Sequence, residues 1–261
     1  SDMALLSIDK TGKLVWKKEL PKMRMRNAFG EGGGPAIAGE RMILMLDQEA
    51  GSFITALDKN TGKELWRKDR DEVSTWSTPL VINDLVVVSA TNKVRAYNIA
   101  NGEVVWECGG LGVNVIPMPV VADNLVIVMS GFRSPNLLAI KLGGKGDLTG
   151  TDAVVWSNQR GNSYTAAPVV HAGILYNVTD NGMLNAVRAS NGEIFYRQQR
   201  LPKAYNFKAS PVAANGKLYL ATEEGDVVIV KLGEKYEVVA TNTLTDQFFV
   251  ASPVIVDGAL Y

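Results

Sequence analysis

Short apolar runs broken by turn residues recur along the whole chain. In one stretch, Leu80-Val81-Ile82 is followed by the turn pair Asn83-Asp84 and then by the β-rich run Leu85 to Ser89. A polar break at Thr91-Asn92 precedes Val94-Arg95-Ala96-Tyr97, and Asn101-Gly102 turns into Val104-Val105-Trp106. Four short strands joined by hairpin turns predict one antiparallel sheet. Matching turn pairs stand at Gly39-Glu40, Ala172-Gly173, Asn215-Gly216 and Asp257-Gly258.

The prolines set the period of this pattern. Pro35, Pro79, Pro119, Pro168, Pro211 and Pro253 each open an apolar run, with separations of 44, 40, 49, 43 and 42 residues. A repeat of this length with many short strands predicts a β-propeller of four-stranded blades, an all-β fold. Proline suits the head of a first strand, where the missing N–H has no ladder partner.

The third and fourth strands carry a second signature. From Ala56 through Asp58, Thr61 and Gly62 to Trp66 the aromatic stands ten residues after the alanine; Ala96 to Trp106 keeps that spacing, and Ala186 to Tyr196 keeps it with tyrosine. Asp9-Lys10-Thr11-Gly12 to Trp16 is a shorter copy, and Ala139 to Trp156 carries an insertion from Gly143 to Asp152. Asp or Asn bonds its own turn and Gly accepts positive φ there. The aromatic ring then has a large face to bury against the neighbouring blade. Trp16, Trp66, Trp106, Trp156 and Tyr196 are therefore read as structural docking residues, not as a ligand cage.

The Ala-x-Asp-x-x-Thr-Gly-x-x-x-Trp pattern resembles the tryptophan-docking repeat of pyrroloquinoline-quinone (PQQ)-type propellers. That superfamily includes the quinoprotein alcohol dehydrogenases and the BamB-type outer-membrane assembly lipoproteins. Gly143 to Thr151 and Ala209-Ser210-Pro211-Val212-Ala213 resemble bacterial PQQ-like propeller proteins more closely. The resemblance covers essentially the whole chain and implies a periplasmic or extracytoplasmic bacterial location. It specifies fold far better than activity.

The two ends complement one another. Residues 4–20 read as the third and fourth strands of a unit, and residues 251–261 as a first strand and the start of a second. Their union would close a six-bladed ring, residues 1–261 forming one domain without exposed sheet edges. Because the relatives implied by the resemblance have seven or eight blades, a fragment of a larger ring is the alternative.

Composition narrows the partner. The 261 residues carry 27 basic and 27 acidic side chains, so the formal net charge is zero, which argues against nucleic acid bound through bulk electrostatics. No apolar run approaches the length of a membrane span. The single cysteine, Cys108, excludes an intramolecular disulfide.

Candidate chemistry sits in the loops leading into each first strand, which in a propeller surround one mouth of the central channel. These loops supply Arg24, Arg26, Phe29, Trp76, Arg160, Tyr164, Phe207, Lys208 and Phe248. Aromatic and arginine groups are the usual anchors of recognition surfaces. The competing reading is that the aromatics plug blade tips and the charges are simply solvated.

Catalysis has little to stand on. Resemblance to quinoprotein dehydrogenases would imply bound PQQ, calcium, a catalytic aspartate and a disulfide of adjacent cysteines, which one cysteine cannot form. No position matches the calcium carboxylates or the base. Asp147 and Asp152 lie in the glycine-rich insertion without the spacing of a calcium loop. His171, the only histidine, is read as an exposed turn residue, and Gly30-Glu31-Gly32-Gly33-Gly34 lacks the lysine of a phosphate loop. The expectation is a monomeric, non-catalytic scaffold without cofactor or metal. It would hold a protein partner, with a peptide or glycan as alternatives. A PQQ- and calcium-dependent oxidoreductase, or a degenerate relative of one, is the competing function.

Overall fold

The computed structural model describes residues 3–261, and strands account for nearly all of its regular structure. The chain enters through a two-stranded hairpin, β1 (Ala4–Ile8) and β2 (Leu14–Glu19). The first complete sheet follows as β3 (Ala36–Ala38), β4 (Arg41–Leu46), β5 (Ser52–Asp58) and β6 (Glu64–Arg70). The second contains β7 (Leu80–Ile82), β8 (Leu85–Val88), β9 (Val94–Asn98) and β10 (Val104–Cys108). The third runs β11 (Val120–Ala122), β12 (Leu125–Ser130) and β13 (Asn136–Lys141). After the short β14 (Gly146–Asp147) it ends with β15 (Val154–Asn158). The fourth is β16 (Val169–His171), β17 (Ile174–Val178), β18 (Met183–Arg188) and β19 (Ile194–Arg200). The fifth is β20 (Val212–Ala214), β21 (Lys217–Ala221), β22 (Asp226–Lys231) and β23 (Val238–Thr243). A last hairpin, β24 (Ile255–Val256) and β25 (Ala259–Leu260), ends the chain.

Each blade is an antiparallel meander whose first strands lie side by side from blade to blade, β3 by β7, β11 by β16 and β16 by β20. The first hairpins close through residues at positive φ: Asn215 and Gly216 at 50° and 70°, Asp257 and Gly258 at 50° and 79°. Both central residues in the left-handed region make the turn whose twist matches paired strands. Strand alternation then sends successive residues to opposite faces, so the apolar cores lie between blades. Val86 and Val88 pack with Ile43, Met45 and Ile54 of the preceding blade, whereas Val87 packs with Val126 and Val128 of the next.

The expected docking aromatics lock these interfaces. Trp16 Nε1 donates to the Lys59 carbonyl at 3.0 Å, Trp66 Nε1 to Ile99 at 2.9 Å and Trp156 Nε1 to Ala189 at 2.8 Å. In each case the ring covers the glycine of the next blade's third turn. A Cβ on Gly62, Gly102 or Gly192 would stand 2.8, 2.6 or 2.7 Å from the Trp16, Trp66 or Trp156 ring, and all three glycines have positive φ. Trp106 is fully buried, yet its Nε1 has no partner among the described residues, and Tyr196 is buried with its hydroxyl likewise unpartnered.

Trp106 loses its partner because the third blade replaces the Thr-Gly turn with the insertion 143–152. That segment folds back as β14 and pairs in parallel with β10, Trp106 opposite Gly146 and Glu107 opposite Asp147, so the second blade has five strands. Leu148 seals the edge, buried against Trp106 and Cys108. Lys93 Nζ meets Asp147 at 2.6 Å, and Gly109 N donates to Thr149 Oγ1 at 2.8 Å. The insertion is thus a strap between two blades, and Asp147 is engaged by an ammonium.

The union expected between residues 4–20 and 251–261 is not formed. β1 pairs only with β2 and β25 only with β24, and no ladder joins the two hairpins among the described residues. The described residues therefore form five complete blades and two half-blades. Apolar side chains on both halves stay exposed, including Leu6, Ile8 and Leu14 on one and Val254, Val256 and Leu260 on the other. Two strands lack the inner-face area that holds a four-stranded blade against its neighbour. The first hairpin instead leans on blade one, where Met3, Leu5 and Leu20 pack against Leu44, Leu46 and Phe53.

Trp66→Ala is expected to lower stability by roughly 3 kcal/mol, as for large truncations at packed sites. Gly102→Ala, which forces the same ring away, should cost much less once Trp66 is already alanine; a double-mutant cycle from denaturant unfolding reads this coupling. The strap predicts that Asp147→Asn speeds modification of the Cys108 thiol by an aromatic disulfide reagent. The Lys93 ammonium, with help from Thr149, holds the Asp147 carboxyl well below the usual carboxylate range. A depressed folded-state value means the latch is fully present above the unfolded carboxyl's titration and fails only as pH falls far below it. Thiol protection should accordingly survive mild acid.

Candidate functional site

Because strands alternate in direction, the hairpins between second and third strands and the links from one blade to the next emerge on the same face. On this face Phe29, Gly32, Trp76, Ile116, Tyr164, Thr165 and Lys208 line a cleft of about 510 Å³. Four of the nine expected loop residues, Phe29, Trp76, Tyr164 and Lys208, meet there.

Trp76 is the best-fixed wall. Its backbone N–H donates to the Val115 carbonyl at 2.8 Å and its Nε1 to the Gly30 carbonyl at 2.8 Å. Gly32 lies flat against the ring, where a Cβ would fall 2.8 Å from Cδ1. Phe29 stands beside it with ring centroids 6.3 Å apart, carried by a turn in which Asn27 and Ala28 both adopt positive φ, 51° and 54°. Left-handed alanine is strained, and strain of this kind is held where a side chain must be aimed.

Opposite, Tyr164 stacks on Phe132 at 5.1 Å, with the Arg133 guanidinium over the Phe132 ring. The segment carrying Tyr164 runs so close to Gly131 that a Cβ there would meet the Ser163 carbonyl at 2.3 Å. Thr165 is tied down by the Phe207 carbonyl, which accepts its hydroxyl at 3.1 Å. Lys208 is exposed and makes no ion pair among the described residues.

The other expected residues lie elsewhere. Phe207 is fully buried among Tyr205, Leu218 and Leu220. The extended segment from Tyr205 to Ala209 alternates inward and outward, so Lys208 faces solvent and Phe207 the core. Arg26 is half-buried and braces the first loop through Glu49 at 3.3 Å and Asn114 at 3.3 Å. Arg24 is exposed, its backbone N–H held by Gln48 Oε1. Arg160 sits by Asn158 at the end of an outermost strand, and Phe248 is exposed on the last blade's loop. None of these lines the cleft.

A buried ionic network below the cleft had no signal in the repeat pattern. Arg70 grips Asp47 through Nε at 2.7 Å and Nη2 at 3.0 Å, both side chains wholly buried, and also donates to the Tyr97 hydroxyl. Thr75 Oγ1 donates to Asp47 at 2.8 Å. Two residues beyond Arg70, Glu72 accepts the backbone N–H groups of Asn92 and Lys93 and pairs with Arg95 at 3.0 Å. Burial pushes the Glu72 carboxyl up, while burial works against the Arg70 charge and is overcome by Asp47, leaving that guanidinium more firmly protonated. Every member has a partner, so the network anchors the loop that carries Trp76.

The donor set limits the chemistry. No group of three or more His, Cys, Asp or Glu side chains is placed to hold a metal ion among the described residues. His171 is exposed at its turn, as expected. The cleft presents one ammonium, Lys208, and no carboxylate pair. That does not match a quinone tricarboxylate bridged to calcium. The arrangement suits stacking and apolar contact with one charged contact at the rim.

Comparison with known proteins agrees with the architecture. The family model described as outer membrane protein assembly factor BamB matches residues 2–232 and 138–261. The BamB of Moranella endobia (strain PCIT) is 27% identical over 199 residues, covering 69% of this chain and 50% of that protein. The chain thus spans about half the length of that relative. The crystal structure of BamB from Moraxella catarrhalis superposes with a TM-score of 0.57 at 15% identity, covering 96% of this chain and 85% of that one. A quinohemoprotein alcohol dehydrogenase from Comamonas testosteroni gives 0.62 at 13% identity, over 83% of this chain and 43% of its own. These structural likenesses establish the β-propeller fold.

Asp47→Ala should cost roughly 3–5 kcal/mol, because it strands a buried guanidinium without its partner. The same change should alter Trp76 fluorescence below the unfolding transition. Trp76→Phe supplies the reference for that signal.

Proposed function

The chain belongs to the family of outer membrane protein assembly factor BamB, and on that footing we propose that it is a non-catalytic scaffold of the bacterial envelope. It works as a monomer on the periplasmic side and holds a protein partner of outer membrane protein assembly on its loop face. The observation that carries this reading is the convergence of Phe29, Trp76, Ile116 and Tyr164 around one open cleft with Lys208 at its rim. Large aromatic surfaces held rigid by their own hydrogen bonds lose little entropy on binding, which is why they anchor interfaces. A peptide segment offering an apolar side chain fits the cleft better than a glycan, whose hydroxyls would find few free polar partners there. No helix among the described residues is long and apolar enough to cross a membrane.

The test is binding to the host's purified outer membrane protein assembly machinery, followed by interferometry. The combined variant Phe29→Ser, Trp76→Ala, Tyr164→Ala should weaken binding by about tenfold or more, as expected for hot-spot anchors. Arg160→Ala, away from the cleft, should leave it unchanged. Equal binding by the triple variant would move the interface to another face. Titration with PQQ and calcium should produce no saturable absorbance change, and no alcohol oxidation should follow.

A further inference from the structure

The face opposite the aromatic cleft carries a second cavity, of about 500 Å³, between blades one and two. Its wall includes Arg41, Asn98 and Asp84 with the apolar Val81, Ile99 and Ala38. Arg41 opens β4 directly after the first turn, opposite Ala38 in register. The same register position holds Leu85, Leu125 and Ile174 in the next three blades and the exposed Lys217 in the fifth, so blades one and five place a cation there, and the one on blade one lies half-buried against its neighbour.

That guanidinium has no carboxylate partner among the described residues. Arg26, Arg70, Arg95 and Arg188 each meet a carboxylate, whereas Arg41 makes no ion pair among the described residues. Its Nε is shielded from solvent without any hydrogen-bond partner. The residue is only half-buried, so the charge keeps access to water, and the Nε–H is the donor left free for a ligand entering the cavity. Nearby, Asn98 Oδ1 is occupied by the Ala100 N–H at 2.8 Å, so the amide presents its N–H₂ side as the free function. Asp84 lies exposed at the rim, and its side chain makes no ion pair among the described residues.

We propose that this cavity binds an apolar residue bearing a free α-carboxylate. The carboxylate accepts from Arg41 and Asn98, the α-nitrogen donates to Asp84, and the side chain lies against Val81 and Ile99. One positive and one negative side chain leave the site near neutral, which suits a ligand carrying one carboxylate beside an N–H donor and disfavours polyanions. The free amino acid and the C-terminus of a peptide share this chemistry.

Three probes separate the sources and the interaction, read by calorimetry and thermal shift on the whole chain. N-acetyl-leucine should bind saturably, and N-acetyl-leucine amide, which lacks the charge, about tenfold more weakly or worse. Free leucine binding as tightly as the acetylated form marks an amino-acid site, and preference for the acetylated form marks a peptide terminus. Arg41→Met should abolish binding with little change in melting, because the Arg41 side chain makes no hydrogen bond or ion pair among the described residues that the change would break. Arg41→Gln supplies the same test should methionine disturb the turn. Asp84→Asn should weaken leucine more than N-acetyl-leucine. The proposal is overturned by equal binding of acid and amide, by unchanged binding in both Arg41 variants, or by no saturable binding of any probe.

Discussion

One contact recurs at three of the junctions: a tryptophan from one outer strand lies flat on a glycine in the next blade's turn. The ring buries its face, its Nε1 donates to a backbone carbonyl of that turn, and the turn needs positive φ at the glycine in contact. Three demands fall on one residue pair, so a blade cannot shift against its neighbour without losing all three. Antiparallel sheets alone would leave the blades free to slide. With the contact in place, apolar residues alternating along each strand fill the gaps on both sides.

The second junction departs from this rule in an instructive way. Trp106 is the most deeply buried of the series and the one whose indole N–H is orphaned, because the facing turn has been exchanged for residues 143–152. Those residues return as an added strand with Leu148 beneath it and the Lys93–Asp147 pair above. Main-chain pairing and an ion pair thereby stand in for the missing hydrogen bond. The first hairpin keeps the contact through Trp16, yet both end hairpins leave apolar side chains in solvent.

Rigid junctions matter for the loop face, since the cleft draws its walls from several blades. Phe29 comes from before the first blade, Trp76 from the link into the second and Tyr164 from the link into the fourth. Their relative placement is inherited from blade packing and trimmed locally by the Asp47–Arg70 network beneath Trp76 and by the Gly131–Ser163 contact beneath Tyr164.

What the chain announces in its own sequence is whatever depends on a residue and its near neighbours. The proline period, the Asn-Gly and Asp-Gly turns and the Asp-x-x-Thr-Gly-x-x-x-Trp signature are each local in φ or in spacing, and each became the element it implied. Half of the cleft was legible for the same reason, because loops leading into first strands must share a face. The remainder depended on distance in space. Phe207 and Lys208 are adjacent in sequence, and only the inward and outward alternation of an extended segment sends one to the core and the other to the rim. Phe132 reaches Tyr164 from a hairpin of the other kind. Asp47 and Arg70 are 23 residues apart, and nothing in either neighbourhood marks them as partners. Arg41 shares its register position with Lys217 of the fifth blade, and its lack of a partner appears only once the neighbouring blade is in place. Backbone geometry is written residue by residue, whereas convergence of side chains is set by how rigid blades stack, and that is decided by the tertiary structure alone.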